Sequence, residues 1–139
     1  MPLGKIGDKS VIPDLERSID EMENFPYFQV GQALYKLESE RAEECFILGL
    51  KNDKYYNRSV SVFELGKLKT ESSLMLIITA LKDEHENVRR AAVLALMKIE
   101  SERSIVALTE MLEDEDFEVR MYAREALNKI CKKNLREIE

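Results

Sequence analysis

The sequence predicts an all-α solenoid of four stacked helix pairs, and three observations carry that prediction. First, the chain repeats itself. Lys36, Lys67, Lys98 and Lys129 recur every 31 residues, and apolar columns keep the same register, among them Leu34, Leu65, Leu96 and Leu127. A fixed period of this length is the signature of a helical or strand-based repeat array. Second, the apolar residues inside each unit step by three and four, as in Leu74, Ile77 and Leu81 or Val88, Ala92, Ala95, Leu96 and Ile99. That spacing marks one face of an α-helix. Third, polar runs divide the units: Asp8, Ser39, Thr70 and Ser101 form a column whose side chains can accept from free amides at helix starts.

Taken in order, the units run over about 9–39, 40–70, 71–101 and 102–132, within a single repeat domain of residues 11–134. Residues 1–10, with Gly4 and Gly7, read as a flexible lead-in, and 135–139 as a charged tail. The first pair is predicted over 12–24 and 27–38, opening at Pro13, where a missing amide costs little. The second pair spans 40–51 and 54–68, the third 71–82 and 86–99, and the fourth 102–113 and 117–133. Short polar turns such as Lys82 to Asn87 separate the two helices of a pair. One helix pair cannot bury its apolar face alone, so the units must stack.

Composition narrows the function classes. Of 139 residues 45% are apolar, with 5 Gly and 3 Pro, which excludes a disordered or collagen-like chain. Cys45 and Cys131 are too few for a disulfide framework and form no Cys-x-x-Cys motif. No apolar run reaches membrane-spanning length, and residues 1–10 hold no signal-peptide core, so the reading is a cytoplasmic protein. The net charge of −6 is acidic at both ends and nearly neutral in the middle, which argues against nucleic acid as a partner.

The third and fourth units read Ala80-Leu81-Lys82-Asp83 through Val88-Arg89-Arg90-Ala91-Ala92, and Met111-Leu112-Glu113-Asp114 through Val119-Arg120-Met121-Tyr122-Ala123. This Leu-x-Asp…Val-Arg-x-x-Ala pattern resembles HEAT repeats, in particular the short HEAT-like repeats of phycobilisome lyase subunits. Two units depart from it: Asn52 and Asn57 replace the Asp and Val in the second, and Tyr27 replaces the Arg in the first. The resemblance implies a right-handed α-solenoid of four 31-residue HEAT-like repeats with the second helix of each pair on the concave side. It also implies that Asp83 with Arg89, and Asp114 with Arg120, help hold adjacent turns together. Fold alone does not select a function within this superfamily. Its deoxyhypusine hydroxylases hold two irons through several His-Glu pairs, whereas this chain has one histidine, His85.

No catalytic, cofactor or metal site is expected. His85 falls in a column with Glu23, Lys54 and Asp116, so it reads as an exposed or helix-capping residue. Cys45 shares an apolar column with Leu76 and Ala107, while Cys131 shares a polar one. The run Glu113 to Asp116 lacks the glycine and spacing of a calcium loop. The informative residues are apolar ones in columns that should meet solvent: Phe25, Phe28, Tyr56, Phe63 and Leu94. With Arg90, Lys67 and Lys98 they form a candidate partner-binding face. The leading expectation is a non-catalytic interaction or scaffold module for a protein partner. The alternatives are an accessory subunit resembling bilin lyase chains, and a nucleic-acid binder using the lysine column. Charges at Asp14, Glu16 and Arg124, where inner units carry apolar residues, predict polar caps at both ends of a four-unit array.

Overall fold

The computed structural model describes residues 9–14, 33 and 41–138, which hold the predicted second, third and fourth repeats. Each repeat is a pair of antiparallel helices. The second repeat contributes α1 (Ala42–Gly49) and α2 (Tyr55–Leu68). The third contributes α3 (Glu71–Ala80) and α4 (Glu86–Ile99). In the fourth, α5 (Ile105–Glu110) lies between single 3₁₀ turns at Glu102–Ser104 and Met111–Glu113, and α6 runs over Phe117–Ile138. Every described element is helical, so the chain is an all-α solenoid. None of these helices is long and apolar enough to cross a membrane.

Local chemistry sets the boundaries. Thr70 caps α3 by accepting from the Ser73 amide, and the Ser73 hydroxyl accepts from the Thr70 amide in return, a reciprocal capping box. Ser101 accepts from Arg103 at the equivalent position one repeat later. Asp8 and Ser39, the other members of that column, lie outside the described residues. Both α2 and α4 end on a left-handed residue, Lys69 (φ 52°) and Glu100 (φ 56°), again one repeat apart. The helix predicted over 102–113 is a composite, because its first and last turns tighten to 3₁₀ geometry. The last helix is longer than the sequence suggested. Residues 135–138 continue α6 rather than forming a tail, since Leu135, Arg136 and Glu137 are good helix formers with no glycine or proline to stop them.

The second helices carry the stack. α2 packs along α4, and α4 along α6, whereas the first helices mainly touch the second helices beside them. A stack whose one layer is packed more closely than the other curves towards that layer, so α2, α4 and α6 line the inner side. Between the layers lies one continuous core. Phe46, Val62 and Leu65 meet Ile77, Val88, Val93 and Leu96, and these meet Leu108, Val119 and Ile130. Gly49 is where α1 crosses α2. A side chain there would collide with the buried Ser61 hydroxyl, whose Cβ would lie 3.1 Å away.

Candidate functional site

Each turn between paired helices opens with an Asx geometry. The Asp83 carboxylate accepts from the His85 amide (2.9 Å), Asp114 from the Asp116 amide (2.9 Å), and Asn52 from the Lys54 amide (3.0 Å). Onto these turns falls a ladder of arginines. Arg58 grips Asp83 through two bonds of 3.0 and 3.1 Å, and Arg89 grips Asp114 through bonds of 2.9 and 3.2 Å. The remaining nitrogen of each arginine turns back to its own repeat. Arg58 Nη1 donates to the carbonyls of Asn52 and Asp53, and Arg89 Nη1 to those of Asp83 and Glu84.

The sequence reading grouped Asp83 with Arg89 and Asp114 with Arg120. The geometry differs by one repeat: each carboxylate pairs with the arginine 25 residues before it, and meets its own repeat's arginine only through a main-chain carbonyl. Arg120 has the carbonyl bond to Asp114 (2.6 Å) and stacks over Phe117, with no carboxylate partner among the described residues. Burial raises the Asp83 carboxyl, but the hydrogen bonds from Arg58 and the His85 amide outweigh it and hold the group below its usual range.

A second clasp runs beside the first. Arg90 binds Asp116 with two bonds of 2.9 and 2.8 Å and also reaches Asn87 Oδ1 (2.9 Å). This bidentate pair holds the Asp116 carboxyl well below, and the Arg90 guanidinium above, their ordinary values. Arg90 shares a sequence column with residues of the expected partner face. Its guanidinium is instead committed to the neighbouring turn, and the acidic run it engages is a set of clasped turn residues. His85 caps α4, its Nδ1 accepting from the Asn87 amide (3.1 Å), and its ring stacks on Tyr55 at 3.7 Å. Cys45 is buried and Cys131 exposed. Among the described residues no three His, Cys, Asp or Glu side chains converge as a metal site requires.

The inner surface between α2 and α4 holds a groove of about 420 Å³. Gly66 and Ala95 form its floor, with a Cβ at Gly66 only 3.1 Å from Ala95 Cβ, so the two helices approach closely there. Phe63 and Leu94 form its apolar walls and are 46% and 38% exposed. Lys67, Lys98 and Lys69 rim it. The Lys67 and Lys98 ammonium groups sit 4.6 and 4.9 Å from the centroid of the same Phe63 ring. Tyr56 is half exposed but lies at the start of α2, edge-on to Tyr55, and does not line the groove. Of the predicted face, then, Phe63, Leu94, Lys67 and Lys98 come together. Phe25 and Phe28 lie outside the described residues.

Sequence reasoning missed a second, shallower groove on the outer side. Met75, Ile78, Val106 and Met111 line it between α3 and α5, with Arg103 and Glu110 at its edge. Its signal was present, since Met75 and Val106 share one column and both are exposed. On the same outer side Glu71 pairs with Arg103, and Ser72 with Glu43, each linking adjacent repeats.

Stacked antiparallel pairs, a close-packed inner layer and an arginine ladder spanning successive turns define a helical-repeat solenoid. The chain belongs to the HEAT repeat family: the family model for HEAT repeats matches residues 44–128. Among solved structures, human deoxyhypusine hydroxylase in complex with glycerol is similar, with a TM-score of 0.70 at 24% identity. The match covers 87% of this chain and 43% of that one, so this chain spans less than half the length of that enzyme chain. At that identity the likeness is one of fold. No curated protein matches the chain by sequence.

Proposed function

We propose that this chain is a non-catalytic protein-interaction module, residues 11–134 forming one repeat domain whose inner face grips a segment of a partner. HEAT solenoids commonly serve as interaction modules, and the family assignment supports that coarse class. The observation that carries the finer reading is the α2–α4 groove. As Met75 and Val106 do on the outer surface, Phe63 and Leu94 stand open to solvent side by side on the inner one, there over the Gly66–Ala95 floor. Such a concentration of exposed apolar area over a small-residue floor is what binding surfaces present. The lining offers alkyl, aromatic and ammonium groups and no nucleophile or acid–base pair.

The inter-repeat clasps serve this role by stiffening the surface. A rigid groove loses less conformational freedom on binding than a mobile one. The test uses purified protein as bait, with Phe63→Asp combined with Leu94→Asp. Both positions are exposed, so the helical circular dichroism should be retained while a specific partner is released. Retention of that partner by the double variant would overturn the assignment of the surface.

A further inference from the structure

We infer that the occupant of the Phe63–Leu94 groove is an acidic amphipathic segment of a protein partner. This rests on the groove being the partner site, and it adds the chemistry of what enters. The apolar walls and the Gly66–Ala95 floor take a large apolar side chain, as in other helix- or peptide-in-groove complexes. The rim sets the sign of the charge beside it.

Three of the seven residues lining the groove are lysines and none is acidic, although the whole chain carries a charge of −6. Basic character is therefore concentrated here against the trend of the molecule. Lys67 is ion-paired with the buried Glu64 carboxylate, donating to it at 3.4 Å. Lys98 and Lys69 have no carboxylate partner among the described residues. Lys67 and Lys98 both converge on the Phe63 ring, whose negative face offsets part of the repulsion between two ammonium groups. A carboxylate arriving at that point would pair with Lys98 or Lys69, with its desolvation reduced because the lysine heads remain at the exposed rim.

Two other occupants fit the observations less well. A nucleic-acid backbone needs a continuous basic track, and two of the three described lysines of the column are already ion-paired, Lys67 with Glu64 at 3.4 Å and Lys129 with Glu100 at 3.2 Å. A small ligand needs convergent hydrogen-bonding groups to orient it, and the side chains lining this groove supply only ammonium donors.

The experiment pans a displayed library of random peptides, each about twelve residues long, on the full chain. Enriched peptides should combine one or two large apolar residues with several Asp or Glu. A fluorescein-labelled copy of the commonest should bind about tenfold more weakly when salt rises from about 50 to about 300 mM. Lys67→Gln with Lys98→Gln should weaken it by a similar factor, and Leu94→Asp should abolish binding. Enrichment of neutral or basic peptides that Leu94→Asp still releases would overturn the acidic class and leave the groove as the partner site. Enrichment of nothing that Leu94→Asp releases would overturn both. A labelled single-stranded DNA oligonucleotide is the last arm: binding as tight as the peptide's, lost in the lysine double variant, would overturn a protein occupant. The salt titration uses the unmodified chain, and affinity unchanged between about 50 and about 300 mM salt would overturn the acidic class whether or not a variant folds.

Discussion

Removing one rung of the arginine ladder should cost this small protein a large share of its stability. Arg89 is the best-enclosed rung: its side chain and that of Asp114 are only 8% and 9% exposed. The guanidinium makes four hydrogen bonds, two to the Asp114 carboxylate and one each to the carbonyls of Asp83 and Glu84. Arg89→Met keeps most of the alkyl packing and deletes all four. A nearly buried carboxylate then loses its counter-ion, which costs about 3 kcal/mol, the low end for breaking a buried pair because turn carbonyls can recruit water. For a chain of this size that is a fall in Tm of about 10 °C.

Urea unfolding followed by helical circular dichroism measures the loss, and Asp114→Asn with the double variant completes a cycle. The coupling energy should be about 2 kcal/mol, in the range for hydrogen bonds to charged groups. Arg120→Met is the internal control. Its guanidinium meets a single carbonyl and no carboxylate among the described residues, so it should cost about 1 kcal/mol. A loss below about 1 kcal/mol for Arg89→Met, or no coupling to Asp114, would show that the rung behaves as an ordinary surface pair and would refute the reasoning.

Acid should undo the clasps selectively. Asp83 and Asp116 titrate lower when folded than unfolded, so their contribution is complete above about pH 4, the unfolded value, and is lost as pH falls through the folded ones. Melts between pH 6 and pH 2 should steepen below about pH 4, and Asp116→Asn should flatten that dependence. Lys69→Gly should stabilise the fold by about 0.5–1 kcal/mol, because glycine relieves the left-handed strain at the end of α2, and a lower Tm would contradict this. Gly49→Ala should destabilise by about 2 kcal/mol through overpacking against Ser61, with partial recovery in Gly49→Ala combined with Ser61→Ala. Equal Tm values for the single variant and the unmodified protein would mean that α1 and α2 can separate without cost.

The period of 31 residues and the three-and-four apolar spacing within it together determined the all-α solenoid, because both are local properties written along the chain. The same holds for the caps. Thr70 and Ser101 act on amides two or three residues away, a reach that linear reading covers. Helix ends were legible where a capping residue marks them, as for α4, and missed where none does, as at the end of α6, which no glycine or proline stops.

Tertiary structure decided which residues meet across repeats. Column alignment cannot tell whether an arginine faces the carboxylate of its own turn or of the next, since both are a few ångströms away in a stack. Packing of α2 on α4 and of α4 on α6 selects the next, at an offset of 25 residues. The same packing gives Arg90 a partner, Asp116, that lies 26 residues ahead. The groove, likewise, forms where α2 approaches α4 closely at Gly66 and Ala95, which brings Phe63, Leu94 and the lysines onto one surface. Sequence spacing places side chains on faces, and only the contact between helices decides which faces become a site.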